Sequence, residues 1–146
     1  MYTRTILKSL LIIMLFTSCN SKKNTISIDD KTNKLCENEW FLVSWTSKNS
    51  PHTINAMEII QLKFDNETLQ LSGNDGCNQF FGSFEYKDEL LTVGPTGGTK
   101  KYCGEESSID EKAFIEFLQQ KLKVDFIGKK LQLKSSDDVL LFGPTK

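Results

Sequence analysis

Four cysteines and one histidine are the residues of this chain best suited to catalysis or metal binding. The cysteines are Cys19, Cys36, Cys77 and Cys103, and the histidine is His52. No Cys-x-x-Cys pair and no histidine cluster is present, which argues against a metal site. Catalysis by a Ser-His or Cys-His pair would depend on His52, and no G-x-S-x-G turn accompanies it. We therefore expect no enzymatic activity, no metal and no cofactor.

Two glycine-rich segments could bind a ligand or simply turn the chain. Residues 94–100 contain three glycines and end in lysine, but they lack the Gly-Lys-Ser/Thr order of a phosphate loop, so we interpret them as a connection. Gly73 and Gly76 can both adopt a positive φ, and the Asn78 amide can bond to nearby backbone. A structural turn is our main interpretation, and a binding site formed by Gly73, Gly76 and Asn78 is the alternative.

The N-terminus has the three-part form of an export signal. Arg4 and Lys8 precede an apolar run over residues 9–16, and small residues lead to Cys19. The apolar run is too short to span a bilayer, which requires about 20 apolar residues. Residues 15–19 resemble a bacterial lipobox, in which the chain is cut before a cysteine that carries diacylglycerol. An ordinary signal peptide with an incidental cysteine is the alternative.

Lipid modification of Cys19 would place the protein in the bacterial cell envelope. Several acyl chains bury far more CH₂ groups than one myristoyl chain, so the attachment would be durable. Asn20 is not the aspartate that usually signals retention in the inner membrane. We expect residues 1–18 to be a signal peptide and the protein to be anchored in the outer membrane, facing the periplasm. Residues 19–35 are mostly polar, and we expect them to be a lipidated, flexible tether.

The charge of the exported part argues against a nucleic-acid partner. Without Arg4 and Lys8, 16 Lys and Arg remain against 19 Asp and Glu, a formal net charge of −3. Nucleic-acid binding normally requires a concentrated basic face. The expected partners are the membrane, through the lipid on Cys19, and an envelope protein or an apolar ligand.

Short alternating segments with polar turns between them predict a β meander. They lie at residues 40–45, 57–64, 68–72, 80–86, 90–93, 123–127, 131–133 and 139–142. In the first segment, Trp40, Leu42 and Ser44 are expected on one face. A capping-box pattern from Ser108 to Glu111, followed by apolar residues at helical spacing, predicts one helix. We expect an α+β domain in which the meander closes into a barrel, or forms a strongly bent sheet, with one helix packed on it.

Several spaced blocks resemble a known family. The run at residues 72–84 resembles the G-x-x-G-C-N-x-F-x-G-x-[FY] signature of META (HslJ-like) domains, and the pair Thr99-Lys100 with Cys103 looks like their second block. Residues 40–45 are similar to their opening W-x-L-x-x-W. The resemblance implies a compact, β-barrel-like α+β fold over residues 36–146 and a secreted or envelope-anchored protein. It implies no enzymatic activity, because the family is linked mostly to stress settings.

With Cys19 lipid-modified, an odd number of cysteines remains for the domain. We predict a disulfide between Cys77 and Cys103, which would add about 3 kcal/mol of stability in the chain-entropy model. Pairing of Cys36 with Cys77 or with Cys103 is the alternative. In our main prediction Cys36 is a free thiol.

Two functions fit these observations. The first is a non-enzymatic envelope lipoprotein that binds a partner or supports the envelope under stress. The second is a carrier of a lipid or another apolar molecule inside the barrel. Its lining would be the phenylalanines on inward faces: Phe80, Phe84, Phe114, Phe117 and Phe126. Such residues more often fill a core.

Overall fold

A computed structural model describes residues 30–48, 60–104 and 111–145 of the chain. They form, in order, α1 (Asp30–Cys36), β1 (Glu39–Ser47), β2 (Ile60–Asp65), β3 (Gln70–Asp75), β4 (Gln79–Lys87), β5 (Leu90–Val93), β6 (Gly97–Gly98), α2 (Glu111–Leu118), β7 (Leu122–Ile127), β8 (Lys130–Lys134) and β9 (Asp138–Pro144). The predicted signal peptide (residues 1–18), Cys19, His52 and Ser108 lie outside the described residues.

Eight strands close into an antiparallel barrel. Their order is β1-β2-β3-β4-β5-β7-β8-β9, and β9 pairs back with β1. The two-residue strand β6 adds to β4 outside this ring. Of the two predicted arrangements, the barrel is the one observed. The fold is mostly β, with two short helices in the described residues where the sequence predicted one.

Alternation along the strands separates the core from the surface. On β2, Ile60, Leu62 and Phe64 are buried as predicted, while Lys63 and Asp65 point outward. The β2–β3 hairpin begins at Asp65, whose carboxylate accepts the backbone N–H groups of Glu67 and Thr68, each at 2.9 Å. These bonds, those from Thr68 above all, lower the pKa of Asp65 because they favour its charged form.

Strand β1 departs from simple alternation. Its pairing with β9 shifts between Leu42 and Ser44, which is a β-bulge that leaves Val43 exposed. Trp40 and Trp45 therefore both face the core although they lie five residues apart. The prediction that Ser44 shares a face with Trp40 is wrong, because the extra residue in the bulge reverses the alternation.

The ordered domain begins before the predicted boundary at residue 36. Residues 30–36 are helical, and Leu35 is fully buried. The Leu35 carbonyl accepts the indole N–H of Trp40 at 2.8 Å, and Lys34 lies 4.5 Å from the centre of the Phe126 ring. Lys31 pairs with the carboxylate of Glu89, and this hydrogen bond lowers the pKa of that group. The predicted flexible tether therefore extends too far, because one leucine and two lysines of residues 30–35 contact the barrel.

The two helices cover opposite ends of the barrel. Helix α1 contacts the β4–β5 and β7–β8 turns, through Glu89 and Gly128. Helix α2 lies at the other end, beside the β3–β4 turn, and buries Phe114, Phe117 and Leu118. Leu122 lies beyond α2 and begins β7. No helix within the described residues is long and apolar enough to cross a membrane.

Candidate functional site

The β3–β4 turn is organised by a buried carboxylate. Asp75 is only 5 % exposed, and its Oδ1 accepts the backbone N–H of Cys77 at 3.1 Å and that of Asn78 at 2.6 Å. Gly76 has a φ of 107°, a conformation that L side chains rarely adopt. The prediction of a positive φ at Gly76 is confirmed. The turn is thus fixed by side-chain hydrogen bonds and by one glycine.

The side chain of Asn78 connects the β3–β4 turn to a second loop. Its side chain is buried, and Oδ1 accepts the Thr99 hydroxyl at 2.9 Å and the Lys101 backbone N–H at 2.7 Å. Its Nδ2 donates to the Glu111 carboxylate at 3.2 Å. One side chain therefore joins the β3–β4 turn, residues 99–101 and the start of α2. The expected brace by Asn78 exists, but it acts between segments and not within its own turn.

A disulfide adds a covalent link between the same segments. Cys77 and Cys103 are bonded, with Cα atoms 6.0 Å apart, as the sequence predicted. Gln79 also accepts the Thr99 backbone N–H at 2.9 Å through its carbonyl oxygen. We name residues 99–103 the braced loop, because hydrogen bonds hold its first half and the disulfide holds its end.

The braced loop presents its remaining side chains to solvent. Tyr102 is 87 % exposed, and Lys100 and Lys101 are also exposed. Neither lysine has an ion-pair partner among the described residues. A depression of about 460 Å³ lies beside the loop and is bounded by Thr99, Lys101, Glu111 and Ile115, with Asn78 at its edge. This arrangement can offer an aromatic ring and two positive charges to a partner, beside a partly apolar hollow.

Gly73 has a different role from the one predicted. It lies within β3, between Leu62 on β2 and Phe80 on β4, and its φ is not positive. A Cβ at this position would collide with the Gln61 carbonyl oxygen and would lie 2.8 Å from the Phe80 ring. Glycine is required at this position because neighbouring atoms leave no room for a Cβ. It does not form a turn, because β3 continues to Asp75, three residues beyond its predicted end.

Within the described residues, one trio of side chains has the spacing of metal ligands. The Sγ atoms of Cys77 and Cys103 and a carboxylate oxygen of Glu111 all lie within 4.8 Å of one another. The two sulfurs are joined in the disulfide, so neither is the thiolate that a metal would bind. The proximity of Glu111 to them follows from its hydrogen bond to Asn78.

Among the described residues Cys36 is the free cysteine, as predicted, and it lies at the other end of the barrel. Its half-buried thiol packs against the core, and burial together with the charge of Asp65 raises its pKa to about 11. The protonated thiol is a poor nucleophile at neutral pH. Cys36 therefore has the environment of a packing residue.

The phenylalanines proposed as the lining of a carrier cavity pack against other aromatic rings. Phe64 and Phe84 meet edge to face at 5.1 Å between ring centroids, and Phe80 and Phe114 meet at 6.0 Å. Phe114 and Phe117 also contact Trp45, and Phe126 contacts Trp40. Such contacts are those of a filled aromatic core.

The sequence analysis missed the roles of two residues of the site. Asp75 was not singled out, although an aspartate directly before a glycine is a common signal for an Asx-type turn. Glu111 was assigned to a capping box, but its carboxylate accepts a hydrogen bond from Asn78, which lies 33 residues earlier in the chain.

Comparison with known families identifies the domain. The family model of the META domain matches residues 33–146. The chain belongs to the META domain family. This match also begins before residue 36, in agreement with the early start of the ordered domain at α1. No curated protein matches the chain.

Solved structures share the fold of this META domain. An NMR structure of a protein from Burkholderia xenovorans has a TM-score of 0.65 at 25 % identity and covers 77 % of this chain and 84 % of its own. A second NMR structure of a protein has a TM-score of 0.60 at 19 % identity, covering 77 % and 92 %. A crystal structure of a DUF4847 family protein from Bacteroides vulgatus has a TM-score of 0.53 at 15 % identity, covering 77 % and 95 %. The last two comparisons concern the fold alone.

Proposed function

We propose that this protein is a lipid-anchored, non-enzymatic binding module of the bacterial cell envelope. Its META domain would dock an envelope protein through the braced loop. The observation that carries the proposal is Tyr102, which is 87 % exposed on a loop held by a disulfide and by the buried Asn78. Tyrosine is enriched among the residues that dominate binding energy at protein interfaces.

The rigidity of the loop supports a docking role. A loop that is ordered before binding loses less conformational entropy when a partner arrives. The hydrogen bonds from Thr99 and Lys101 to Asn78 fix the backbone on one side of Tyr102, and the disulfide at Cys103 fixes it on the other side. The tyrosine ring is therefore presented from a backbone of fixed conformation.

Charge indicates the kind of surface that would dock. Lys100 and Lys101 directly precede the tyrosine and have no ion-pair partners in the described part of the chain, whereas Lys112 beside them pairs with Glu116 at 3.6 Å. Unpaired charges at the edge of an interface steer association with a surface of opposite sign. The expected partner is an envelope protein with an acidic patch.

The anchor part of the proposal is supported by residues 1–19. A basic start, a short apolar run and a lipobox-like end place Cys19 at the expected cleavage boundary. The chain should incorporate labelled palmitate and partition with membranes, and Cys19→Ala should abolish both. Unchanged incorporation in that variant would contradict the anchor.

A site-specific crosslink tests docking directly. A photo-crosslinking amino acid is placed at position 102 of the full lipidated chain in cells and, as a control, at the exposed position Ile127 at the other end of the barrel. We expect one adduct of defined mass at position 102, none at 127, and a weaker adduct when Lys100 and Lys101 are replaced by glutamate. The crosslinked protein, once purified, should bind Tyr102→Ala about tenfold more weakly than the parent chain. Equal adducts at both positions, or none, would contradict the docking role.

The carrier hypothesis gains no support from the described interior. The rings that would line a cavity contact one another, so a ligand would have to displace them. A protein interior at normal packing density has no room for a ligand, so displacing these rings would lose favourable packing contacts. Binding at the surface is therefore the better-supported function.

A further inference from the structure

A second polar and aromatic surface lies on the outer face of the barrel, across β2, β3 and β4, and it adjoins the braced loop where the Gln79 backbone N–H donates to the Thr99 hydroxyl at 3.1 Å. Antiparallel pairing places Gln61 opposite Asn74, and Asn74 opposite Gln79, so three carboxamides form a row across β2, β3 and β4. The next row on the same face contains Ser72 opposite Phe81. These side chains line a depression of about 380 Å³. Its size falls within the range of small-molecule sites, about 300–1,000 Å³.

Phe81 is held in place although it is exposed. The side chain is 61 % exposed, a large fraction for a phenylalanine in the middle of a strand. Gly97 of β6 pairs with Phe81, and a Cβ on Gly97 would lie 3.2 Å from the Cζ of its ring. The bare backbone of β6 thus supports the ring, while the ring also lines the depression. The result is a positioned aromatic surface that nothing in the described structure covers.

The carboxamides beside the ring retain unused hydrogen-bonding capacity. The Asn74 Oδ1 accepts the Gly76 backbone N–H at 2.8 Å, which leaves its NH₂ group without a partner in the described residues. The Gln79 side chain has no hydrogen-bond partner within the same residues. A carboxamide can donate and accept at once. That property suits hydroxyl groups, which also do both.

The depression has little net charge. Its one lysine, Lys63, lies 3.1 Å from the Glu39 carboxylate, which also accepts a hydrogen bond from Gln61 at 2.9 Å. An anionic ligand would have to compete with Glu39 for Lys63. Charge complementarity therefore favours an uncharged ligand that offers an apolar face and several hydroxyls.

We propose that this depression binds an uncharged oligosaccharide. A pyranose ring has a C–H face that packs on an aromatic ring and hydroxyls at its edge. Its C–H face would lie on Phe81, and its hydroxyls would bond to Asn74 and Gln79. The site does not require the proposed docking of a protein at Tyr102, which projects from a different segment.

Ligand-observed saturation-transfer NMR on the full chain in sugar-free detergent tests the site. The probes are chitotriose, cellotriose and maltotriose, with trigalacturonic acid as the anionic comparison. We expect transfer to the ring C–H protons of at least one neutral sugar, with a Kd on the order of 1 mM, and weaker transfer to trigalacturonic acid. No transfer to any neutral trisaccharide, or stronger transfer to the anionic one, overturns the proposal.

Variants separate this site from the braced loop. Phe81→Ala should weaken sugar binding at least about tenfold, while Phe81→Tyr keeps the ring and should retain it. Tyr102→Ala removes an exposed ring from the braced loop and should leave sugar binding unchanged while weakening binding to the protein partner found by crosslinking. Circular dichroism checks that each variant is folded. Equal sugar binding by the parent chain and Phe81→Ala overturns the proposal, as does equal loss in Phe81→Ala and Tyr102→Ala.

Discussion

The two ends of the barrel are closed by different interactions. At the α1 end, closure depends on packing: Leu35 is buried beneath its helix, and Trp40 donates to its carbonyl oxygen. The α2 end also has buried aromatic residues, but the adjoining turn is held by the buried polar side chains of Asp75 and Asn78 and by a disulfide. Apolar packing stabilises without directional constraint, whereas hydrogen bonds and a disulfide fix positions.

This difference suits different tasks. The α1 end needs only to exclude water from the core, and its free thiol is protected by burial. The α2 end carries the braced loop, whose proposed role in binding depends on the direction in which Tyr102 projects. Buried polar groups are costly unless they are satisfied, and the carboxylate of Asp75 and the carboxamide of Asn78 both have partners. The polar interactions at the α2 end thus fix the position of the loop, whereas the apolar packing at the α1 end mainly stabilises the fold.

Truncation of the apolar end should have the largest effect. Leu35→Ala removes a fully buried side chain, and such changes cost about 2–5 kcal/mol. Urea unfolding of the full chain measures the loss. Leu69→Ala, at an exposed leucine in the β2–β3 turn, is the matched control and should cost far less. Similar losses in both variants would mean that α1 does not close the barrel.

Loss of the disulfide should have the next largest effect. The double variant Cys77→Ser/Cys103→Ser should lose about 3 kcal/mol, because the unfolded chain regains the entropy of a 26-residue separation. Urea unfolding of the oxidised parent chain gives the reference. The difference should disappear when both proteins are compared in a strong reductant. A persistent difference would assign the loss to poor packing of the two serines.

Removal of the Asn78 brace should have a smaller effect on stability and a local effect on the loop. Asn78→Ala leaves the Lys101 N–H and the Glu111 carboxylate without their partner, at a cost of about 1–3 kcal/mol. Hydrogen exchange should show faster exchange of the Lys101 amide, after correction for the global loss. The Val124 amide, which is bonded within the barrel wall, should change only by that global amount. Equal changes at both amides would mean that Asn78 does not brace the loop specifically.

The barrel could be predicted because its signal is local. Alternation on β2 and β4 follows from the two-residue period of a strand, and it placed Ile60, Leu62, Phe80 and Phe84 correctly in the core. The bulge in β1 could not be read this way, because it depends on pairing with β9, nearly 100 residues later. Helix α1 was missed because a seven-residue helix with one buried leucine has almost no periodic signal.

The candidate site was predictable in its disulfide and in the positive φ of Gly76. The pairing of Cys77 with Cys103 was the favoured one of three pairings that the sequence left open. The bonds from Asn78 join residues up to 33 positions apart and leave no pattern in the sequence. The exposure of Phe81 also could not be predicted from the sequence. Phe80 and Phe81 are identical in type, and only the register of β4 decides which one faces the core.

The smallest expected effect concerns the thiol at the apolar end. Burial and the charge of Asp65 raise the pKa of Cys36 to about 11, from its ordinary value of 9.0. Since the folded state binds its proton more tightly, this stabilisation is complete below pH 9 and is lost as the pH rises towards 11. The loss should be no more than about 1 kcal/mol at pH 10, because the thiol is only partly buried. Urea unfolding at pH 8 and pH 10 should show a steeper decline for the parent chain than for Cys36→Ser, in which other titrating groups are retained. Parallel declines would mean that the thiol is as accessible when folded as when unfolded, and hence that the α1 end is more open than the packing of Cys36 against the core indicates.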